Sequence, residues 1–160
     1  MFTGYLIDTN IHAAYLLQAY EADPLTKKYL AFYAMTPLSE RLIPDFIVNE
    51  FELFATQVAP VKYRMRSEQA SSFYKAVHTY LHEIAASCTL VITPLEAYRN
   101  AFSIYEHNAQ QRYISFTDSL LLSLAKQMDF LLLTKDRRIQ TIAQELRVGY
   151  FDPKSMDRLP

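Results

Sequence analysis

Glycine is nearly missing from this chain: 160 residues hold only Gly4 and Gly149. Loops that cradle phosphate, and strand-to-helix elbows that lift a nucleophile, need glycine where backbone approaches a ligand or turns sharply. A P-loop, a dinucleotide fingerprint and a GxSxG hydrolase are thereby excluded. Cysteine is scarcer still. Cys88 stands alone, so no internal disulfide can form, zinc held by cysteines is excluded, and a reducing, cytoplasmic setting is expected. A lone thiol beside an apolar run reads as a small buried hydrophobe. An excess of one charge is lacking too: the net charge is −1 and the pI is near 6.4. With no global basic field, a nucleic-acid partner has to be gripped by a local patch. Long apolar runs are absent; Phe130 to Leu133 is far too short to span a bilayer. The chain enters a core strand by Tyr5, which leaves no room for a charged and then apolar leader, so no membrane association is expected.

Hydrophobic residues make up 51% and charged ones 21% of the chain, the balance of a globular protein with a real core. No internal repeat or dividing linker is visible. The chain reads as one domain over residues 1–152, with 153–160 as a C-terminal tail. Strands and helices alternate along it. Tyr5 to Ile7 is a short apolar strand, followed by a helix through Ile11, Ala14, Tyr15 and Leu17 to about Tyr20. Pro24 opens a second helix that ends near Pro37. Arg41 to Ile43 is the next strand, and Pro44 leads into a helix over about 45–59. A long amphipathic helix covers about 67–86, with Ala70, Phe73, Val77, Leu81 and Ile84 as its apolar stripe. Thr89 to Thr93 is a β-branched strand, and a helix over about 95–108 follows. The segment from Ile114 to Arg138 then reads as helix, apolar strand and polar turn. Ile139, Ile142, Ala143 and Leu146 mark a last short helix, and Gly149 turns the chain into a last strand near Tyr150 and Phe151. Such alternation implies a parallel sheet between helical layers, joined by right-handed crossovers.

Four acids punctuate this pattern. Asp8 follows the first strand, where it is either a helix N-cap or a ligand at the carboxyl end of a parallel strand. Glu50 sits on the flank of the apolar face made by Ile47, Phe51, Phe54 and Val58, while Glu52 falls on the outer face with Asp45 and Asn49. Asp118 lies in the first turn of its helix. Ser119, Ser123, Lys126 and Gln127 form one polar stripe on that helix, and Asp118 falls outside it, between Leu122 and Ala125. It is therefore either held by the helix macrodipole and free amides or turned inward, where it needs a partner. Asp136, just past the fourth strand, is a turn or cap residue or a fourth ligand.

If the first and fourth strands are neighbours at the switch point of the sheet, all four carboxylates can share one crevice. Acids so close repel one another and would protonate or splay apart unless a divalent cation neutralises them. An all-oxygen donor set suits Mg²⁺ or Mn²⁺. Thr9, Asn10 and Thr134 are placed to hydrogen-bond the carboxylates.

Other residues carry weaker chemistry. Lys62, Arg64 and Arg66, interleaved with Tyr63, form either a solvated loop or a phosphate-contacting patch with a stacking platform. Arg112 in the polar linker, and Lys135 and Arg137 on either side of Asp136, extend this basic set. His78 and His82 stand four apart beside Glu83 but have no third ligand nearby and do not form HExxH.

The segments LIDTN at Leu6 to Asn10, IPDFIVNEFE at Ile43 to Glu52, FTDSLLLSLA at Phe116 to Ala125 and FLLLTKD at Phe130 to Asp136 resemble, in order and over nearly the whole chain, those of a PIN domain. The resemblance implies a metal-dependent ribonuclease with Asp8, Glu50, Asp118 and Asp136 as its acidic residues. It implies a three-layer α/β/α sandwich around a five-stranded parallel sheet, with the helices between the second and third strands forming a protruding clamp. Small single-domain members are commonly toxins of VapBC toxin–antitoxin pairs, so RNA as substrate, a small antitoxin partner and a homodimer are implied as well. The glycine frequent before the fourth strand in that family is replaced here by Met128-Asp129, with Asp129 expected at the surface. A non-catalytic PIN-like module that binds RNA or protein is the competing expectation. A phosphohydrolase with Asp8 as covalent nucleophile is disfavoured, because such enzymes place an acid two residues later, where this chain has Asn10.

Overall fold

The structure is a computed structural model and describes residues 2–20 and 23–155. Residues 156–160, most of the expected tail, lie outside the described residues.

The strands are short, and three of the four are largely buried, as strands covered on both faces must be, whereas the edge strand Thr89–Val91 is exposed. β1 (Tyr5–Ile7) sends Leu6 and Ile7, both 0% exposed, to different apolar clusters. β4 (Leu131–Leu133) does the same with Leu132 and Leu133. That alternation is the period-two signature of a sheet buried on both faces. β2 (Arg41–Pro44) and β3 (Thr89–Val91) complete a four-stranded sheet in the order β3-β2-β1-β4, with every pairing parallel. The chain steps from β1 to β2 to β3 in one direction and then returns to place β4 on the other side of β1. β1 and β4 therefore flank the topological switch point, where open α/β sheets form their crevices.

The expected fifth strand is not formed among the described residues. Beyond Gly149, Leu132 gives its N–H to Gly149 and accepts from Phe151, but this amounts to one isolated parallel bridge to Tyr150. Asp152 then accepts from the Lys154 N–H and the Ser155 hydroxyl, and Pro153 brings no N–H of its own. A proline inside a side-chain-closed turn ends the ladder before a second pairing can be made.

The helices are α1 (Thr9–Leu16), α2 (Pro24–Met35), α3 (Asp45–Leu53), α4 (Ala59–Lys62), α5 (Ser67–Ser87), α6 (Leu95–Arg112), α7 (Phe116–Met128) and α8 (Arg137–Leu146). α2 starts on Asp23, which accepts from the Leu25 and Thr26 N–H groups, with Pro24 pre-set for the first turn. The single helix expected over 45–59 is instead α3 joined to α4 through a π-helical stretch, Phe54–Val58. Pro60 explains the widening. It has no N–H for the Thr56 carbonyl, which accepts from the Tyr74 hydroxyl of α5 instead.

Two further expectations are revised. On α7, Ser119 and Ser123 were expected on a polar face, yet they are 0% and 2% exposed. α6 packs there, and Ser123 donates to the Ala97 carbonyl while Ser119 donates back to Ser115. Small side chains that satisfy their own hydroxyls let two helices approach closely. Gly149, expected as a turn, has no positive φ; a Cβ there would run into the Phe2 ring. The left-handed positions belong to Arg64, Tyr113, Asp129 and Arg147, of which the last three follow the ends of α6, α7 and α8. A chain so poor in glycine closes its helices with residues that pay for the conformation in strain.

Candidate active site

Asp8 directly precedes α1 but does not cap it; its side chain makes no capping hydrogen bond. It is 5% exposed. Its Oδ2 accepts from the Thr134 hydroxyl at the end of β4 and from the Asn10 amide. Thr134 uses its whole capacity: one hydrogen given to Asp8, and lone pairs offered to Asn10 at 3.0 Å and to the Asp136 N–H at 3.1 Å. Asn10 in turn accepts from the Lys135 N–H at 3.0 Å. These bonds lock the turn after β1 to the turn after β4, across the switch point.

The other acids arrive from α3, α7 and α8. Glu50, on α3, accepts from the Thr9 hydroxyl. Asp118 is the third residue of α7 and closes a capping box: the Ser115 N–H donates to Asp118 at 2.7 Å, and the Asp118 N–H donates to Ser115 Oγ at 3.0 Å. Asp136 caps α8 by accepting from the Arg138 N–H at 2.8 Å, and the Arg138 guanidinium lies across both its oxygens. So Asp8 turns away from capping, whereas Asp118 and Asp136 serve as caps while they face the same space.

That space is a crevice of about 350 Å³, lined by Asp8, Glu50, Asp118 and Asp136 together with Phe54, Lys62, Tyr63 and Lys135. Burial pushes Asp8 up to about 7; Thr134 opposes the rise, and the negative charges of Asp118 and Glu50 add to it. Glu50 is raised by burial, with Thr9 opposing and Asp118 adding. Asp118 is raised by burial, with Ser115 opposing and Asp136 adding. Asp136 differs: burial pushes it up, but the Arg138 guanidinium and N–H outweigh this and hold it below the usual carboxylate range. Three of the four acids are thus pushed toward their protonated form, chiefly by burial and further by one another's charge.

The donor chemistry fits a hard divalent cation, since oxygen ligands only and mutual repulsion are what such an ion relieves. The arrangement is open, however. Among the described residues no three His, Cys, Asp or Glu side chains are drawn together as a ligand group, because Asp118 is turned onto Ser115 and Asp136 onto Arg138.

The basic residues divide. Lys62 lines the crevice with its Nζ 5.4 Å from the Tyr63 ring centre and 6.0 Å from that of Phe54, and Lys135 lines it on the β4 side. Tyr63 also meets Tyr20, ring centres 5.5 Å apart. Arg64 and Arg66 lie past the crevice wall, on the turn into α5. Arg112 is held in a two-pronged pair with Glu145, at 2.7 Å on each prong. Arg137 faces a separate hollow with Tyr29, Gln140 and Lys154. His78 and His82 meet edge to face, ring centres 4.7 Å apart, without a third ligand among the described residues. Sequence reasoning missed Arg138; the doubled arginine after Asp136 was the available signal.

The family model described as PIN domain matches residues 5–145. Among solved structures, FitAcB from Neisseria gonorrhoeae superposes with a TM-score of 0.63 at 14% identity, covering 94% of this chain and 98% of its own. Mycobacterium tuberculosis VapC20, described as a sarcin-ricin loop cleaving toxin, gives 0.60 at 11% identity over 87% and 95%. A toxin–antitoxin complex from Klebsiella pneumoniae gives 0.52 at 16% identity over 94% and 98%. No curated protein matches the sequence.

Proposed function

The chain belongs to the PIN-domain family, and on that premise we propose that it is a Mg²⁺- or Mn²⁺-dependent endoribonuclease, the toxin of a toxin–antitoxin pair. The observation that carries the reading is the crevice at the β1/β4 switch point, whose lining includes Asp8, Glu50, Asp118 and Asp136. These four would hold the cation, with Thr9, Asn10 and Thr134 fixing the carboxylates. When bound, such an ion supplies an activated water and offsets charge on the leaving oxygen of a phosphodiester.

This chain's own residues do the rest. Glu50, raised above the ordinary carboxylate range and steadied by Thr9, is placed to accept the proton of the attacking water. Lys62 and Lys135 bring positive charge to the phosphate backbone. Tyr63 offers a ring for an unpaired base, which favours single-stranded RNA. The helices from α3 to α5, between β2 and β3, would form the clamp. A small antitoxin as partner is supported by the structural relative described as a toxin–antitoxin complex. A protein partner or homodimer also suits the exposed apolar residues Leu90, Ile92 and Leu95 at the β3 edge.

Incubating purified protein with single-stranded RNA over a Mn²⁺ titration tests the proposal. Cleavage by the wild type, abolished by chelator and by Asp8→Asn, is expected. One observation favours a second reading, a non-catalytic binding module: Arg138 already neutralises Asp136. Unchanged RNA binding in chelator, with no cleavage at any Mn²⁺ concentration, would decide for it.

A further inference from the structure

Arg41, the first residue of β2, is a buried cation that has no anionic partner among the described residues. It is 9% exposed. Its Nε donates to the Thr36 carbonyl and hydroxyl at 3.2 and 3.1 Å, and its Nη2 to the carbonyls of Tyr33 and Thr36 at 2.7 and 2.9 Å. The guanidinium carbon lies 4.2 Å from the Tyr33 ring centre. These contacts close the carboxyl end of α2, whose dipole offsets part of the charge. Nη1 donates to nothing among the described residues, and no carboxylate there comes within ion-pair distance.

The groups packed around it are neutral, apart from the exposed Glu83 on the wall of the adjoining hollow. His12 gives or takes a hydrogen bond with the Tyr80 hydroxyl at 2.8 Å, and its Nε2 is buried without a partner. Burial and then the charge of Arg41 push His12 down to about 3, so it carries no charge. Tyr33 and Tyr80 bond each other at 2.8 Å and are both raised by burial; Cys88 is raised by burial as well, with Arg41 opposing. A guanidinium held among tyrosines, a thiol and a neutral imidazole is costly without a counter-ion.

Arg41 lines a hollow of about 190 Å³ with Tyr15, Tyr33, Tyr80, Ile84 and Cys88, and with the exposed Glu83 also on its lining. This is below the ~300–1,000 Å³ usual for drug-sized ligands, so an occupant has to be small. Three aromatic rings and an isoleucine beside one free pair of N–H donors suit an anion with an apolar body better than a bare one.

We propose that this hollow binds a small aromatic or branched-chain carboxylic acid, with its carboxylate on Arg41 Nη1 and its apolar body against Tyr15, Tyr80 and Ile84. The site is separate from the acid crevice and does not depend on nuclease activity.

Calorimetric titration of the full chain tests this with benzoate as probe, benzamide as its uncharged counterpart and inorganic phosphate as an anion without an apolar body. Benzoate is expected to bind at least about tenfold more tightly than either. Arg41→Gln should abolish binding, but it also removes the α2 cap and can unfold the chain. Ser87→Glu, on the wall of the same hollow, keeps the cap and tethers a carboxylate beside the guanidinium. It should weaken benzoate about tenfold or more with the circular dichroism spectrum intact. Glu83→Gln, which removes a like charge from the lining, should tighten benzoate by roughly two- to fivefold. Benzamide matching benzoate, phosphate surpassing it, Ser87→Glu leaving binding unchanged, or Glu83→Gln weakening it would each overturn the proposal.

Discussion

Thr134, at the end of β4, gives its hydroxyl hydrogen to Asp8, a residue 126 positions earlier at the end of β1. This single bond joins the ends of the two strands that flank the switch point, beside the crevice that the four acids line. Because the same hydroxyl accepts from Asn10 and from the Asp136 N–H, replacing it leaves several polar groups without partners at once. Thr134→Val should destabilise the protein by about 1–3 kcal/mol, measured by urea unfolding. Thr134→Ser, which keeps the hydroxyl, should recover most of that loss.

Asp8 makes stability depend on pH. Its folded pKa of about 7 lies above the ordinary 3.8, so between these values the folded state binds more protons than the unfolded one. Stability from this group is therefore fully present below about pH 4 and lost as pH rises through 7. Glu50 and Asp118, also raised, act in the same direction. In chelator, stability should fall between pH 4 and 7. Asp8→Asn should flatten that slope and stabilise the protein at pH 8 by up to roughly 4 kcal/mol. Thermal unfolding of both proteins across this range checks the sign: a stability that rises with pH in chelator contradicts it.

Arg138 competes with any cation for Asp136. Its guanidinium side chain is 54% exposed, so the pair is screened and modest in strength. Arg138→Gln should free the carboxylate and tighten Mn²⁺ by roughly two- to fivefold, read by calorimetry.

The scarcity of glycine leaves a second testable mark. Asp129 and Arg147 end α7 and α8 at φ 53° and 58°. Asp129→Gly and Arg147→Gly should each raise stability by about 0.5–1 kcal/mol, detectable as an increase in melting temperature. An unchanged or lower value for both would show that their side chains compensate for the strain.

Much of the fold could be read from the chain because its signals are local. Apolar triplets such as Leu131 to Leu133, followed by polar turns, mark strands buried on both faces, and their alternation with helices implies a parallel sheet. That Asp8 and Asp136 line one crevice needed only one further condition, that β1 neighbours β4. Features that depend on distant partners were not legible. Ser119 and Ser123 look like a solvent face until α6 is laid over them, and nothing in their spacing reveals Ala97 as an acceptor. Tyr150 and Phe151 have strand character, yet the turn at Asp152 and Pro153 limits them to a single bridge. Helical spacing drew attention to His78 and His82, whereas His12, on a helix that is apolar nearly all round, is the imidazole buried among tyrosines. Arg138 could have faced solvent or either neighbouring acid; only the capping geometry of α8 turns it onto Asp136.

The central claim is that side chains from four separate elements jointly hold one class of divalent cation. Calorimetric titration of Mn²⁺ into the wild type, Asp8→Asn and Asp118→Asn tests it most directly. The account predicts saturable binding by the wild type that weakens at least about tenfold in each variant. Binding that is absent in the wild type, or that survives undiminished in both variants, would contradict it.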